Sequence, residues 1–322
     1  MRRVRLGETA LSVSPICFGT WQFGGDWGDV DRDEAKAAVR RALDLGVNFF
    51  DTAQAYGFGK AEQLLAEALG EDIRRDDVIV ATKGGLRPVG DGIERDSSPA
   101  WLRSGVEASL EKLGVEAIDV YQVHWPDPDV PFEETAAALK DLVAEGKIRH
   151  VGVSNFDPRQ MAEFSRTLQI ETLQPPYHLF RREIEQDVLP WCREHGIGVL
   201  IYGPLAHGLL SGRFDRDTEL PDDDWRSGSD LFSGEAFRRN LETVDELRAF
   251  AESRAWTLPE LAVAWTLANP AVHVAIVGGR RPAHVEGAAG GAEIELSSDD
   301  LGEIDRIMER AAQVAGPSPE AA

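Results

Sequence analysis

Cysteine is scarce: Cys17 and Cys192 are the only two in 322 residues. They lie far apart, one in an apolar run and one in a helical pattern. That excludes a disulfide framework and leaves no zinc-ligand spacing, so no metal site is expected. Basic residues are outnumbered, 34 Lys and Arg against 56 Asp and Glu, for a formal net charge of −22. A chain so acidic repels phosphate backbones, which argues against a nucleic-acid partner. No run approaches the ~20 apolar residues that a membrane span needs, so no membrane segment is expected. The basic N-terminus "MRRVRLGETALSVSPICFG" lacks the apolar core of a secretory signal and reads as mature sequence. The cytosol is the expected compartment. Glycine fingerprints are missing too. The first apolar run leads into "GTWQFGGDWGD", and "YGFGK" has Glu62 where a third glycine would stand. Neither forms the dinucleotide turn of an open doubly wound sheet, and no phosphate-cradling loop precedes a Ser or Thr.

What the chain does have is alternation. Hydrophobic residues are 43% of the total, enough for a large core. They gather in eight short runs: Ile16–Gly19, Val47–Phe50, Val78–Lys83, Ile118–His124, Ile148–Ser154, Ile170–Gln174, Ile197–Tyr202 and His273–Gly279. Amphipathic stretches follow them at Asp31–Leu45, Ala61–Leu69, Pro99–Leu113, Phe132–Ala144, Pro158–Arg166 and Ile184–Glu194. Two more, Asn240–Arg254 and Leu258–Ala268, follow the seventh run, and Ala283–Ala289 follows the eighth. Strands separated by helices imply a parallel sheet, and unbroken apolar runs imply strands buried on both faces. Eight units of this kind predict an α/β fold, a closed (β/α)8 TIM barrel, in one domain over residues 1–310. "VRLGETALSVS" predicts an N-terminal β-hairpin around Gly7-Glu8 that plugs the bottom of the barrel. Asp215–Asp230 predicts a long polar insertion, and residues 311–322 a disordered tail.

Barrel active sites lie at the C-terminal ends of the strands. The second run ends at Asp51, with Tyr56 in the following loop; the third ends at Lys83 and the fourth at His124. Later ends carry Ser154, Asn155, Gln174 and Tyr202. A phenol with an ordinary pKa of ~10 is a poor acid near neutrality. A neighbouring ammonium favours the phenolate and lowers that value, which gives Lys83 a role. Asp51 would hold the ammonium, and His124 would hydrogen-bond a substrate oxygen and help protonate it. With no evident nucleophile or metal, electrons must come from a cofactor. Each residue alone also has a plain reading: a turn-capping Asp, a rim Lys, a satisfied core His, a packing Tyr. Four complementary groups on neighbouring strand ends favour a site.

These residues also carry a family resemblance. "GVNFFDTAQAYG", "ATKGG", "YQVHWPDP", "GKIRHVGVSNF" and "IYGPLAHGLLSGR" occur in an order similar to that of the aldo-keto reductase superfamily, in its bacterial branch. The resemblance runs from Val4 to about Arg310. It implies a barrel that reversibly reduces aldehydes and ketones to alcohols with a nicotinamide cofactor bound in an extended pose. On that basis Tyr56 is the general acid, Lys83 and Asp51 tune it, and His124 orients the carbonyl. Ser154, Asn155 and Gln174 would hold the carboxamide, and Tyr202 would stack on the ring. Gly203, Pro204, Leu205, Gly208, Leu210, Ser211 and Arg213 would form the loop over the pyrophosphate. Gly19, Thr20 and Trp21 are expected at the cofactor as well.

Gly278, Gly279, Arg280, Arg281 and His284 fall in the segment that binds the adenosine end in such proteins. The arginines suit a phosphate by charge and fork geometry, just before a helix start. NADP(H) is therefore the preferred cofactor, with NAD(H) possible. The family often has Arg or Gln where His284 stands and Asn where Ala288 stands. Trp21, Trp27, Tyr56, His124 and Trp125 are the candidate substrate pocket, suited to a small aldehyde, ketone or polyol. Two other functions remain open: a cofactor-binding redox sensor or regulatory subunit, as potassium-channel β subunits share this barrel, and an NAD-dependent polyol dehydrogenase. The barrel is self-sufficient, so a monomer or a small homo-oligomer is expected.

Overall fold

A computed structural model describes residues 1–25, 28, 30–90, 92–221 and 224–315. The elements in chain order are β1 (Val4–Arg5), β2 (Ser12–Val13), β3 (Ile16–Gly19), α1 (Arg32–Asp44), β4 (Phe49–Asp51), α2 (Lys60–Leu69), β5 (Ile79–Gly84), β6 (Leu86–Val89), β7 (Gly92–Arg95), α3 (Pro99–Leu113) and β8 (Ile118–Val123). They continue with α4 (Phe132–Ala144), β9 (Ile148–Ser154), α5 (Pro158–Phe164), β10 (Thr172–Gln174), α6 (Val188–Glu194), β11 (Gly198–Tyr202), α7 (Gly234–Ser253), α8 (Leu258–Ala268), β12 (Val274–Gly278), α9 (Pro282–Ala289) and α10 (Ser298–Met308).

Eight strands, β3, β4, β5, β8, β9, β10, β11 and β12, pair in parallel and close into a barrel, β12 bonding back to β3. Two apolar clusters hold it together. The larger fills the layer between strands and helices. The smaller lies inside the barrel and includes Cys17, Phe49, Ile79, Val120, Leu200 and Val274. Side chains alternate along each strand, so the inward set stacks in layers that rise toward the C-terminal rim.

β1 and β2 form the antiparallel N-terminal hairpin, and its Leu6 and Val13 belong to the inner cluster. Glu8 N–H donates to Gly196 O at 2.9 Å, which seats the hairpin on the entry to β11. Gly7 has φ of +56°, and a Cβ there would come within 2.3 Å of Gly198 N. Only glycine fits so close an approach at that φ.

Helix starts follow local chemistry. Asp31 caps α1 through bonds from Asp33 N and Glu34 N, and Thr257 with Glu260 forms a capping box on α8. Beyond shifts of one or two residues at element ends, the structure departs from the periodicity in four respects. The stretch Ile184–Glu194 breaks into a 3-10 turn at Glu183–Glu185 and α6, because Asp187 restarts the helix by accepting from Val188 N. The hairpin β6–β7 and helix α10 lie outside the eight-unit count. Third, α7 begins at Gly234, six residues before the expected Asn240. Fourth, residues 311–315 do not begin a loose tail. Val314 N–H donates to Phe180 O at 2.8 Å and Ala312 N–H to Asn240 Oδ1 at 2.9 Å. The rest of the expected tail lies outside the described residues. Among the described residues no helix is long and apolar enough to cross a membrane.

Candidate active site

Asp51 is the last residue of β4 and Lys83 the penultimate residue of β5; both point into the barrel mouth. Lys83 is fully buried. Its Nζ donates to Asp51 Oδ2 at 2.7 Å, to Thr52 O at 3.0 Å and to Tyr56 Oη at 3.3 Å. The three donor directions of an ammonium are thereby all used. Tyr56 sits in the loop that starts α2, because Ala61 N–H donates to Tyr56 O at 3.2 Å. Its ring meets the His124 imidazole edge-on at 5.7 Å.

Asp51 Oδ1 accepts from Gln174 Nε2 at 2.8 Å. Both carboxylate oxygens are thus acceptors, the pattern of an ionised group. Burial pushes the carboxyl up from its ordinary value, and the Lys83 ammonium opposes that push. His124 goes the other way: burial first, and then Lys83, hold its pKa well below the ordinary imidazole value. A neutral imidazole donates one hydrogen bond and accepts another. Its Nδ1 is buried without a hydrogen-bond partner among the described residues.

A cleft of about 610 Å³ opens beside this group. Gly19, Trp21, Asp51, Tyr56, Gln174 and Tyr202 line its inner end. Gly203, Pro204, Leu205, Gly208, Ser211 and Arg213 line one wall, and Gly278, Gly279, Arg280 and His284 the far end. The other expected residues are placed elsewhere. Thr20 is buried, its hydroxyl donating to Asp51 O at 3.1 Å. Ser154 Oγ donates to Gln174 O at 2.8 Å, and Asn155 Oδ1 accepts from Tyr202 Oη at 2.9 Å, so both stand behind the lining. Leu210 and Ala288 are in the core, and Gly287 faces the cleft instead. Arg281 pairs with Glu34 at 2.9 Å. Trp125 is buried under Arg95, whose guanidinium lies 5.2 Å from its ring. Trp27 is outside the described residues.

The insertion contributes residues that strand ends do not reveal. Asp224 caps a turn at Trp225–Gly228, and that turn lays Trp225 on Trp21 with ring centroids 6.0 Å apart. Arg226 Nη1 donates to His207 O at 3.2 Å, so the insertion is tied to the cleft wall. The Asp224-x-Arg226 spacing is the only sequence signal for this. His207 packs edge-on to both tryptophans, and burial pushes its imidazole down to about 3.

The residues present fit an extended dinucleotide. Two glycines of the lining are demanded by packing: a Cβ on Gly19 would meet Ile276 Cγ2 at 2.7 Å, and one on Gly278 would meet the Gln22 amide at 2.5 Å. The far end gathers Arg213 and Arg280 near the start of α9, whose dipole favours anions. His284 is held neutral there, first by burial and then by the arginines, so it offers hydrogen bonds and not charge. Among the described residues no group of His, Cys, Asp or Glu could hold a metal ion.

A buried Asp51–Lys83–Tyr56 cluster and the arginines Arg213 and Arg280 share one cleft on a (β/α)8 scaffold, the frame of a nicotinamide-dependent oxidoreductase. The model of the Aldo/keto reductase family matches residues 15–309, and the chain belongs to this family. It is 39% identical to the aldo-keto reductase YhdN of Bacillus subtilis, over 96% of this chain and 94% of that one. It is 32% identical to the NADH-specific methylglyoxal reductase of Escherichia coli, over 96% of this chain and all of that one. Its fold is similar to that of the glycerol dehydrogenase AKR11B4 from Gluconobacter oxydans, with a TM-score of 0.90 and 39% identity over 98% of each chain.

Proposed function

We propose that the protein reduces small aldehydes and ketones to alcohols, reversibly, with NADPH as the preferred cofactor and Tyr56 as the proton donor. The observation that carries this is the placement of Lys83 Nζ, which touches Asp51 Oδ2 and Tyr56 Oη at once in a buried setting. An ammonium fixed there stabilises the phenolate left behind when Tyr56 gives up its proton. Asp51 holds the ammonium in place. Neutral His124 donates an N–H to the carbonyl oxygen and orients it toward Tyr56 Oη. A nicotinamide held in the cleft would supply the hydride for the carbonyl carbon. Gln174 and Tyr202 would hold its ring, and Arg213 and Arg280 would hold its phosphates. Trp21, backed by Trp225, gives the cleft an aromatic wall suited to a small, partly apolar substrate.

A second reading has its own observation. Glu34 neutralises Arg281, which weakens the case for a 2′-phosphate and favours NAD(H) with polyol oxidation. Steady-state rates on glyceraldehyde with NADPH and with NADH separate the two. Turnover with NADPH that falls by about 10²–10⁴-fold in Tyr56→Phe, with cofactor binding retained, is expected. Tyr56→Phe with undiminished kcat would remove Tyr56 from the reaction.

A further inference from the structure

Behind β5, on the side away from the cleft, a second carboxyl is fully buried. Glu62 lies in the first turn of α2 and its Oε1 accepts from Thr82 Oγ1 at 2.7 Å. Thr82 directly precedes Lys83. The two side chains leave β5 on opposite faces, Lys83 into the barrel and Thr82 toward the helices. At the other end of the bond, α2 is continuous with the Tyr56 loop, since Tyr56 O accepts from Ala61 N and Gly57 O from Lys60 N. One hydrogen bond therefore joins the helix that carries Tyr56 to the strand that carries Lys83.

The surroundings are unusual. Gln54 Oε1 and Tyr121 Oη are buried without a hydrogen-bond partner among the described residues, and Ser109 lies against the Glu62 carboxyl. Tyr121 Oη and Gln54 Oε1 face each other over two glycines. A Cβ on Gly84 would lie 1.9 Å from Tyr121 Oη, and one on Gly105 would lie 2.9 Å from Gln54 Oε1. The charged or titratable groups facing Glu62 are Lys83 from β5, Lys112 from α3 and Tyr121 from β8. Burial pushes the Glu62 carboxyl up from its ordinary value. A leucine would pack here without that cost. What a carboxyl adds is a directed bond of fixed length.

We propose that Glu62 is a positioning residue: its bond to Thr82 holds the Tyr56 loop against β5 and so sets the Tyr56 Oη–Lys83 Nζ separation. This rests on the reading of Tyr56 as proton donor. An offset of about 1 Å at such a contact costs up to about 100-fold in rate.

The test uses two pairs of variants, Glu62→Ala with Glu62→Gln, and Thr82→Val with Thr82→Ser. Two readouts are taken: kcat and KM on glyceraldehyde, and the spectroscopic titration of phenols in the cofactor-free protein. The second readout is clean because the chain has only four tyrosines, and burial drives Tyr121 and Tyr177 far above the ordinary range. Glu62→Ala and Thr82→Val are expected to lower kcat about 10- to 100-fold with KM within about twofold. The phenol that vanishes in Tyr56→Phe should titrate about one pH unit higher, having moved away from its ammonium. Glu62→Gln and Thr82→Ser keep an acceptor and a hydroxyl, and should recover most of the rate. A folded Glu62→Ala with the phenol titration unchanged overturns the proposal, whatever its kcat. If Glu62→Ala fails to fold, Thr82→Val against Thr82→Ser decides on the same readouts. Failure of the underlying reading shows separately, in wild type and Tyr56→Phe alone, as equal turnover of the two.

Discussion

Asp51 commits both oxygens inside the barrel, one to Lys83 and one to Gln174. Removing its charge leaves an ammonium buried beside a phenol and a peptide carbonyl. Asp51→Asn is expected to cost on the order of 3 kcal/mol of stability, read as a lower unfolding midpoint in urea. It should lower kcat as well, because Lys83 loses its anchor. At this scale much of the site was legible beforehand. A carboxylate ending an apolar run, a lysine and a histidine ending the next two, and a tyrosine one loop away are a chemical pattern that strand order alone assembles. Glu62 was not legible. It stands six residues after Tyr56 inside a helical pattern, where a glutamate reads as solvated surface, and only the packing of α2 on β5 turns it inward.

The elements are where charge meets selectivity. Helices α1 and α9 pack side by side and are bridged twice, by Glu34 with Arg281 and by Arg41 with Glu286. An arginine already paired to a carboxylate attracts a phosphate less. Glu34→Gln should therefore tighten NADPH two- to fivefold while leaving NADH unchanged, in keeping with the ~0.2–1 kcal/mol of an exposed ion pair. Separate fluorescence titrations with each nucleotide check this, and equal effects on both would show that Arg281 does not face a 2′-phosphate. Strand–helix alternation made the barrel legible because period and length are local properties. The insertion was less so. Its polarity marks a loop, yet Trp225 and Arg226 fold back onto Trp21 and His207 through contacts that no local pattern encodes. The helix α10 did carry a signal, the Ser297–Asp300 capping box, placed after a run of small residues that masks the periodicity.

Across the whole molecule, sensitivity to acid follows from histidines kept out of water. His178 is buried, and burial, followed by His207 and Arg181, holds it well below its ordinary 6.5. The unfolded chain takes up a proton there as pH falls through 6.5 and the native chain does not. Its contribution to stability is thus present above pH 6.5 and lost below it, at about 1.4 kcal/mol per pH unit. His178→Asn keeps an acceptor for Phe180 N–H, which His178 Nδ1 serves at 3.2 Å. Its stability deficit against wild type should therefore shrink as pH falls from about 7 to about 5. Melting temperatures at several pH values give the comparison, and a deficit that stays constant would mean that His178 titrates normally.

The hairpin under the barrel has a consequence for traffic. With Leu6 and Val13 stoppering the far end, the barrel axis is a cul-de-sac. On the proposed reaction, a proton lost from Tyr56 would be replaced through the same doorway that admits the carbonyl compound and lets the alcohol leave. Recharging the acid and clearing the product then queue at one entrance, and whatever narrows that doorway slows both together.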